Sequence, residues 1–274
     1  MYLKLLAIFT LLLLAGCATF PHQHSPIAPK SRHTLRIATY NVYWQNNSKD
    51  KKNPDSILSV IQEIQPDILA LQETFCFSAD RLGKYFKASH PYQLFRQSDS
   101  STHEDGLGIL SKYPIVKQKY FPPVYGWFPG WLFVIKTPKG YIQVLNVHLH
   151  PRLVSENNIG LFAEGLWLTP RMRLQEIAYY YKFLNPYLPT IIAGDLNESD
   201  SGAACHFLRQ HHFDDQLQKV APHIKTWHCP FGCFVFTGRY DRIYTSPCIR
   251  TSKCIVLQKG YSDHFPVFTD CMLP

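Results

Sequence analysis

The sequence predicts an α/β domain with β-sheets inside and helices outside. Three observations lead there. Short apolar runs bounded by turn formers recur along the chain, as strands buried on both faces do. Two segments between such runs place their apolar residues at helical spacing. No internal repeat and no second boundary interrupts residues 34–274, a stretch that suits one large domain. Buried strands and amphipathic helices then stack as layers, because each helix has one apolar stripe to cover.

The N-terminus comes before that domain. Lys4 precedes the apolar run Leu5 to Leu14, which is too short to span a bilayer comfortably, and small residues lead to Cys17. Leu14-Ala15-Gly16-Cys17 resembles the bacterial lipobox. The resemblance implies acylation of Cys17, a lipid anchor in the cell envelope and, with Ala18 rather than Asp following, the outer membrane. Residues 1–17 are then signal peptide and lipobox. Residues 18–33, rich in Pro, His, Ser and Ala, read as a flexible tether.

Strands are expected at Leu35–Tyr40, Ile68–Leu71, Gly108–Leu110, Trp131–Ile135, Ile142–Val147, Thr190–Ala193, Asp241–Tyr244 and Phe265–Phe268. Helices are expected at Asp55–Ile64, opened by Pro54, and at Arg171–Leu184, between Pro170 and Pro186.

The net charge of +8 and pI near 9.0 suit a surface that attracts polyanions or anionic lipid heads, but the basic residues are scattered and do not choose between them. Eight cysteines in an exported chain permit disulfides; with Cys17 acylated, seven remain and at least one stays unpaired within the monomer. Cys229 and Cys233 can close a small loop, and Cys254 and Cys271 lie on segments that can be neighbours; connectivity stays open.

Chemistry gathers in polar clusters at or just beyond apolar runs: Asn41, Gln72-Glu73, His148, Asp195-Leu196-Asn197 and Ser262-Asp263-His264. A carboxylate ending a buried strand, as Glu73 does, needs a cation or a hydrogen-bonded partner, and a hard divalent ion such as Mg²⁺ takes oxygen ligands of this kind. Asp195 and Asn197, two apart, share one side of an extended segment, with Leu196 turned to the core and Gly194 permitting close backbone approach. Asp263 and His264 are adjacent and point opposite ways, so Asp241 is the better partner to orient His264 and stabilise its imidazolium form.

Taken in order, Thr-Tyr-Asn (39–41), Leu-Gln-Glu (71–73), Gly-Leu-Gly-Ile-Leu-Ser-Lys-Tyr-Pro (106–114), Asn-Val-His-Leu (146–149), Gly-Asp-Leu-Asn (194–197), Tyr-Asp-Arg-Ile-Tyr (240–244) and Ser-Asp-His (262–264) resemble the endonuclease/exonuclease/phosphatase superfamily. The resemblance runs from about Leu35 to Phe268. It implies a deoxyribonuclease I-like four-layer sandwich of two packed mixed β-sheets flanked by helices. It also implies Mg²⁺, with Mn²⁺ as the alternative, held by Glu73 with Asn41 and Asp263 close by. Asp195 and Asn197 would position water and the scissile phosphate, with Asp241–His264 as an acid–base or phosphate-stabilising pair. His148 matches the deoxyribonuclease I and sphingomyelinase branches, where an acidic residue, here Glu104 or Asp105, would support it.

Substrate contacts are expected from Trp127 and Trp131 in the aromatic segment Tyr120–Trp131 and from Arg152 and Arg171 around the connection Pro151–Pro170. The aromatic segment either stacks on bases, meets lipid or packs on the domain. Three functions follow: a phosphodiesterase cutting nucleic acid, a phospholipid or phosphoinositide hydrolase, and a binding lipoprotein without turnover. The chain is expected to act as a monomer.

Overall fold

Side chains of a strand alternate between two faces, and in the central strands of this chain both faces are apolar. Such strands must be covered on both sides. The computed structural model describes residues 27–43, 55–97, 106–151, 159–231 and 234–274. One sheet holds β1 (Leu35–Asn41), β2 (Ile68–Gln72), β3 (Tyr92–Arg96), β4 (Leu107–Ser111), β13 (Arg250–Val256) and β14 (Val267–Met272), in the order β13-β14-β1-β2-β4-β3. The other holds β5 (Ile115–Phe121), β6 (Gly130–Thr137), β7 (Gly140–His148), β8 (Thr190–Asp195), β9 (Asp214–Asp215) and β12 (Asp241–Thr245), in the order β5-β6-β7-β8-β12-β9. A separate hairpin pairs β10 (Trp227–Phe231) with β11 (Phe234–Gly238). Both sheets are mixed: each has one parallel pair at its centre, β1–β2 or β7–β8, with antiparallel strands outside.

Three apolar cores separate four layers. Between the sheets lie Ile37, Ile68 and Ile109 against Phe133, Val144, Ile191 and Ile243. The opposite face of β1 and β2 packs Ala38, Tyr40, Leu69 and Leu71 on α1 (Asp55–Ile64) and α2 (Cys76–Phe86), through Ile57, Ile61, Ile64 and Leu82. The outer face of the second sheet packs Leu145, Val147 and Ile192 on α3 (Ile159–Tyr181) and α4 (Ala203–Gln210). A short α5 (Gln216–Val220) follows β9. This is the expected helix–sheet–sheet–helix sandwich. Among the described residues no helix is long and apolar enough to cross a membrane.

Three boundaries differ from expectation. Pro170 lies inside α3 rather than ahead of it, so part of the expected connection 151–170 is helix; proline removes one helical hydrogen bond without forbidding the turns on either side. β14 begins at Val267, because Phe265 N–H donates to Thr226 O at 2.6 Å and His264 bridges to Trp227. The last part of the expected tether is held to the domain: Ile27 packs on the α1–α2 core, Ala28 O accepts from Arg36 Nη2 at 3.1 Å, and Lys30 pairs with Asp67. Cys205, Cys248, Cys254 and Cys271 are free thiols; Cys254 and Cys271 lie on the adjacent strands β13 and β14. Cys17 and Cys233 lie outside the described residues.

Candidate active site

On the faces that meet between the sheets, apolar side chains give way to polar ones at one end. β1 presents Ile37, Thr39 and Asn41 in turn, β2 Ile68, Ala70 and Gln72, β7 Val144, Asn146 and His148, and β8 Ile191, Ala193 and Asp195. β12 runs antiparallel to β8, so its first residue meets the last of β8. Asp195 is therefore in register with His148 on one side and Asp241 on the other, while Asn41 is in register with Gln72 on the opposing sheet.

Glu73 reaches this row by a backbone turn. Alternation would send it to the helix face, but its φ of 55° lies in the left-handed region and redirects the side chain into the cleft. Asn197 turns similarly at φ 51°. Gly194 has φ 150°, and a Cβ there would meet Val147 O at 1.9 Å, so the close approach it permits is to β7.

The side chains then converge. Asn41 Nδ2 donates to Glu73 Oε1 at 2.8 Å and to Asp195 Oδ2 at 3.2 Å. His148 Nε2 stands 3.8 Å from Glu73 Oε1 and 3.7 Å from Asp195 Oδ2. His264 Nδ1 bonds Asp241 Oδ2 at 2.8 Å, and its Nε2 stands 3.7 Å from Asp195 Oδ2. Ser262 Oγ donates to Asn41 O at 2.8 Å and accepts from His264 N at 3.1 Å, tying the loop before β14 to β1.

Beneath the row is a polar floor. Gln72 Nε2 donates to Asn146 Oδ1 at 2.7 Å and to Thr39 Oγ1 at 3.1 Å, and Asn146 Nδ2 donates to the carbonyls of Leu71 and Gly108 at 3.0 and 2.9 Å. A satisfied buried network of this kind fixes the spacing of the sheets under the site. Thr39 and Asn146 were not singled out in the sequence, although each lies two residues before a site residue on the same face.

Burial sets the protonation states. It pushes Glu73 up to about 8, with Asn41 opposing, and Asp195 up to about 7, with His264 opposing. Burial pulls His264 down, but Asp241 and then Asp195 outweigh it and hold the ring well above the usual imidazole range. His148 is driven well below that range, by burial first and then by His264 and His150. Two carboxylates within 4 Å favour its cation, yet both are themselves raised and only partly charged near neutrality. His148 is therefore neutral.

The donor set fits a hard divalent cation. Glu73 Oε2, Asp263 Oδ1 and Asp241 Oδ1 are buried and accept no hydrogen bond from the described residues, and a buried carboxylate oxygen without a donor is stabilised by a metal ion. Asp195, Asp241 and His264 also cluster closely enough to ligate. The Nδ1 bond to Asp241 and the raised basicity of His264 suit an ion-paired imidazolium in that cluster.

Residues 38–264 match the family model described as Endonuclease/Exonuclease/phosphatase family. The chain belongs to that family. Members of the endonuclease/exonuclease/phosphatase family are in general hydrolases of phosphate esters. No curated protein matches the chain. Among solved structures it is similar to the endonuclease/exonuclease/phosphatase from Beutenbergia cavernae (TM-score 0.68, 17% identity, covering 88% of this chain and 72% of that one). It is also similar to D. rerio TDP2 complexed with single strand DNA product (TM-score 0.65, 17% identity, 87% and 98%). A third likeness is to beta toxin from Staphylococcus aureus (TM-score 0.63, 18% identity, 88% and 100%).

Within this family site the remaining expected residues fall in different places. Asp263 lies at the rim: its Oδ2 accepts from Trp227 Nε1 at 2.9 Å, a partner in the β10–β11 hairpin that the sequence did not suggest. Asn197 Nδ2 donates to Leu149 O at 2.9 Å and its N–H to Asp195 Oδ1 at 2.8 Å, so it braces the loop after β8. Trp131 corrects an expectation. It is 3% exposed in the core between the sheets and bonds Gln118 Oε1 at 2.8 Å, because it belongs to β6 and not to a surface loop. Trp127 is 47% exposed and stands against His150. Arg171 is exposed on α3, while Arg173 is buried and bonded to Glu198 and to His150 O at 3.1 and 3.2 Å. Arg152, Glu104 and Asp105 lie outside the described residues.

Proposed function

We propose that the chain hydrolyses phosphodiesters, those of nucleic acid first, by in-line attack of water. The observation that carries this is the orphaned Glu73 Oε2, buried within reach of Asn41 and beside the Asp195–His264–Asp241 chain. Mg²⁺, or Mn²⁺ in its place, held by Glu73 with Asn41 and Asp263 close by, would supply charge stabilisation to the phosphoryl oxygens. Asp195, its basicity raised to near neutrality, is placed to take a proton from the attacking water. His264, kept protonated and oriented by Asp241, donates to the phosphate or its leaving oxygen. Neutral His148 offers a further hydrogen bond, and Asn41 holds both carboxylates in place.

The chain arrives at the Leu35 end of β1, and Asn41 stands six residues further, about 20 Å away, so the entry of the chain and the site lie at opposite ends of that strand. The test is turnover by purified protein, with Mg²⁺ and with chelator, on plasmid DNA, RNA, sphingomyelin and inositol phosphates. Chelator-sensitive cleavage of nucleic acid supports the reading; cleavage of sphingomyelin or inositol phosphates alone replaces it with the lipid or phosphoinositide alternative; no turnover on any substrate leaves a binding lipoprotein.

A further inference from the structure

His148 and His264 are held by different means. His264 has its Nδ1 fixed by Asp241, whereas His148 Nδ1 is buried and makes no hydrogen bond to a described residue. The His148 ring instead lies against Phe128, with 7° between the planes and 3.7 Å between centroids. Phe128 is buried, yet it belongs to none of the three apolar cores, so its burial is not explained by them. It comes from residues 122–129, between β5 and β6.

That segment is seated tightly on the end of β7. A Cβ on Gly126 would meet Glu176 Oε1 at 2.0 Å and His150 Cβ at 3.0 Å. Trp127 stands edge-on to His150, with centroids 4.8 Å apart, and Glu176 Oε2 accepts from His150 N at 2.9 Å. A Cβ on Gly130 would meet the Tyr180 ring at 2.8 Å. Segment, β7 end and α3 therefore hold Phe128 in one place.

We propose that Phe128 is a positioning residue that orients His148, its flat face holding the plane of the imidazole. This rests on His148 acting in the proposed site. Parallel stacking fixes the plane of the imidazole. Within that plane, the observed orientation puts Nε2 3.8 Å from Glu73 Oε1 and 3.7 Å from Asp195 Oδ2.

Phe128→Leu keeps apolar volume and removes the flat face; Phe128→Tyr keeps the ring. The first readout is NMR of ¹³C-labelled histidine in the full chain. The His148 ring protons, shifted upfield by the stacked ring, move downfield in Phe128→Leu and stay in place in Phe128→Tyr. The second is Mg²⁺-dependent hydrolysis of bis(p-nitrophenyl) phosphate. Phe128→Leu lowers kcat about tenfold with KM little changed, Phe128→Tyr restores it, and adding Phe128→Leu to His148→Ala costs nothing more. A His148 signal indifferent to Phe128→Leu overturns the proposal, as does full additivity in the double variant. Wild-type turnover in His148→Ala defeats the functional reading of the site and this proposal with it, whereas additivity with a His148→Ala that is impaired but still measurable defeats the proposal alone.

Discussion

Asn41 donates to Asp195 across the gap between the two sheets, at 3.2 Å and 154 residues apart in sequence. The same amide nitrogen donates to Glu73 at 2.8 Å. One neutral side chain thus bridges two buried carboxylates that would otherwise repel, one from each sheet.

The first prediction concerns Glu73. Glu73→Gln keeps the shape and removes the charge that calls for a cation. Turnover falls at least about a hundredfold, and titration calorimetry shows Mg²⁺ binding weakened. Wild-type Mg²⁺ affinity in this variant would move the cation site elsewhere.

Asp241 and His264 form the second pair to separate. His264→Ala lowers turnover by at least about a hundredfold, within the range for losing a general acid or base. Asp241→Asn keeps a hydrogen-bond partner for Nδ1 but removes the negative charge that most raises His264. NMR titration of the His264 ring then shows its pKa moving down, and activity falls at the alkaline end first. An unmoved titration would contradict the pairing.

The pH dependence of metal-free stability has a definite sign. Burial raises Glu73 to about 8 and Asp195 to about 7, so between the ordinary carboxylate range and these values the folded state binds more protons than the unfolded one. Their contribution is fully present below that ordinary range and is lost as pH rises through about 7 and 8. In chelator, Glu73→Gln melts higher than wild type at pH 8 and nearly equally at pH 4, where Glu73 is protonated in both states. Mg²⁺ added at pH 8 raises the wild-type Tm. Thermal melts at the two pH values check both statements, and equal Tm values at pH 8 in chelator would refute the sign.

Gly194 supplies a test away from the chemistry. Gly194→Ala drives a Cβ into Val147 O at a φ of 150°, which strains the β7–β8 pair beneath His148 and Asp195. The expected loss is about 2–4 kcal/mol, read from the denaturant midpoint. An unchanged midpoint would show that β7 can move aside.

The central strands were legible in the sequence and the outer ones were not. β1, β2, β4, β6, β7, β8 and β12 are covered on both faces or lie beside such strands, and their apolar runs stand out. β5 reads Ile-Val-Lys-Gln-Lys-Tyr-Phe and β13 Arg-Thr-Ser-Lys-Cys-Ile-Val; both are edge strands, partly exposed, and each pairing carries a register irregularity. Edges carry charge to avoid pairing with other chains, and this erases the pattern that marks a strand.

The sequence by itself marked polar residues that the structure brings together: Asn41, His148, Asp195 and Asp241 end or begin strands, while Glu73 follows β2 and His264 lies in the loop before β14. Alternation along β8 also told that Asp195 shares the face of Ile191 and Ala193, since it is local, whereas Asn197 lies beyond β8 at a φ of 51° that alternation does not foresee. Only tertiary structure decided the protonation states, the Trp227 partner of Asp263, the burial of Trp131 and the stacking of Phe128 on His148. Each of these depends on which distant segment lies within a few ångströms, and on how much water it excludes, quantities that no single segment's pattern contains.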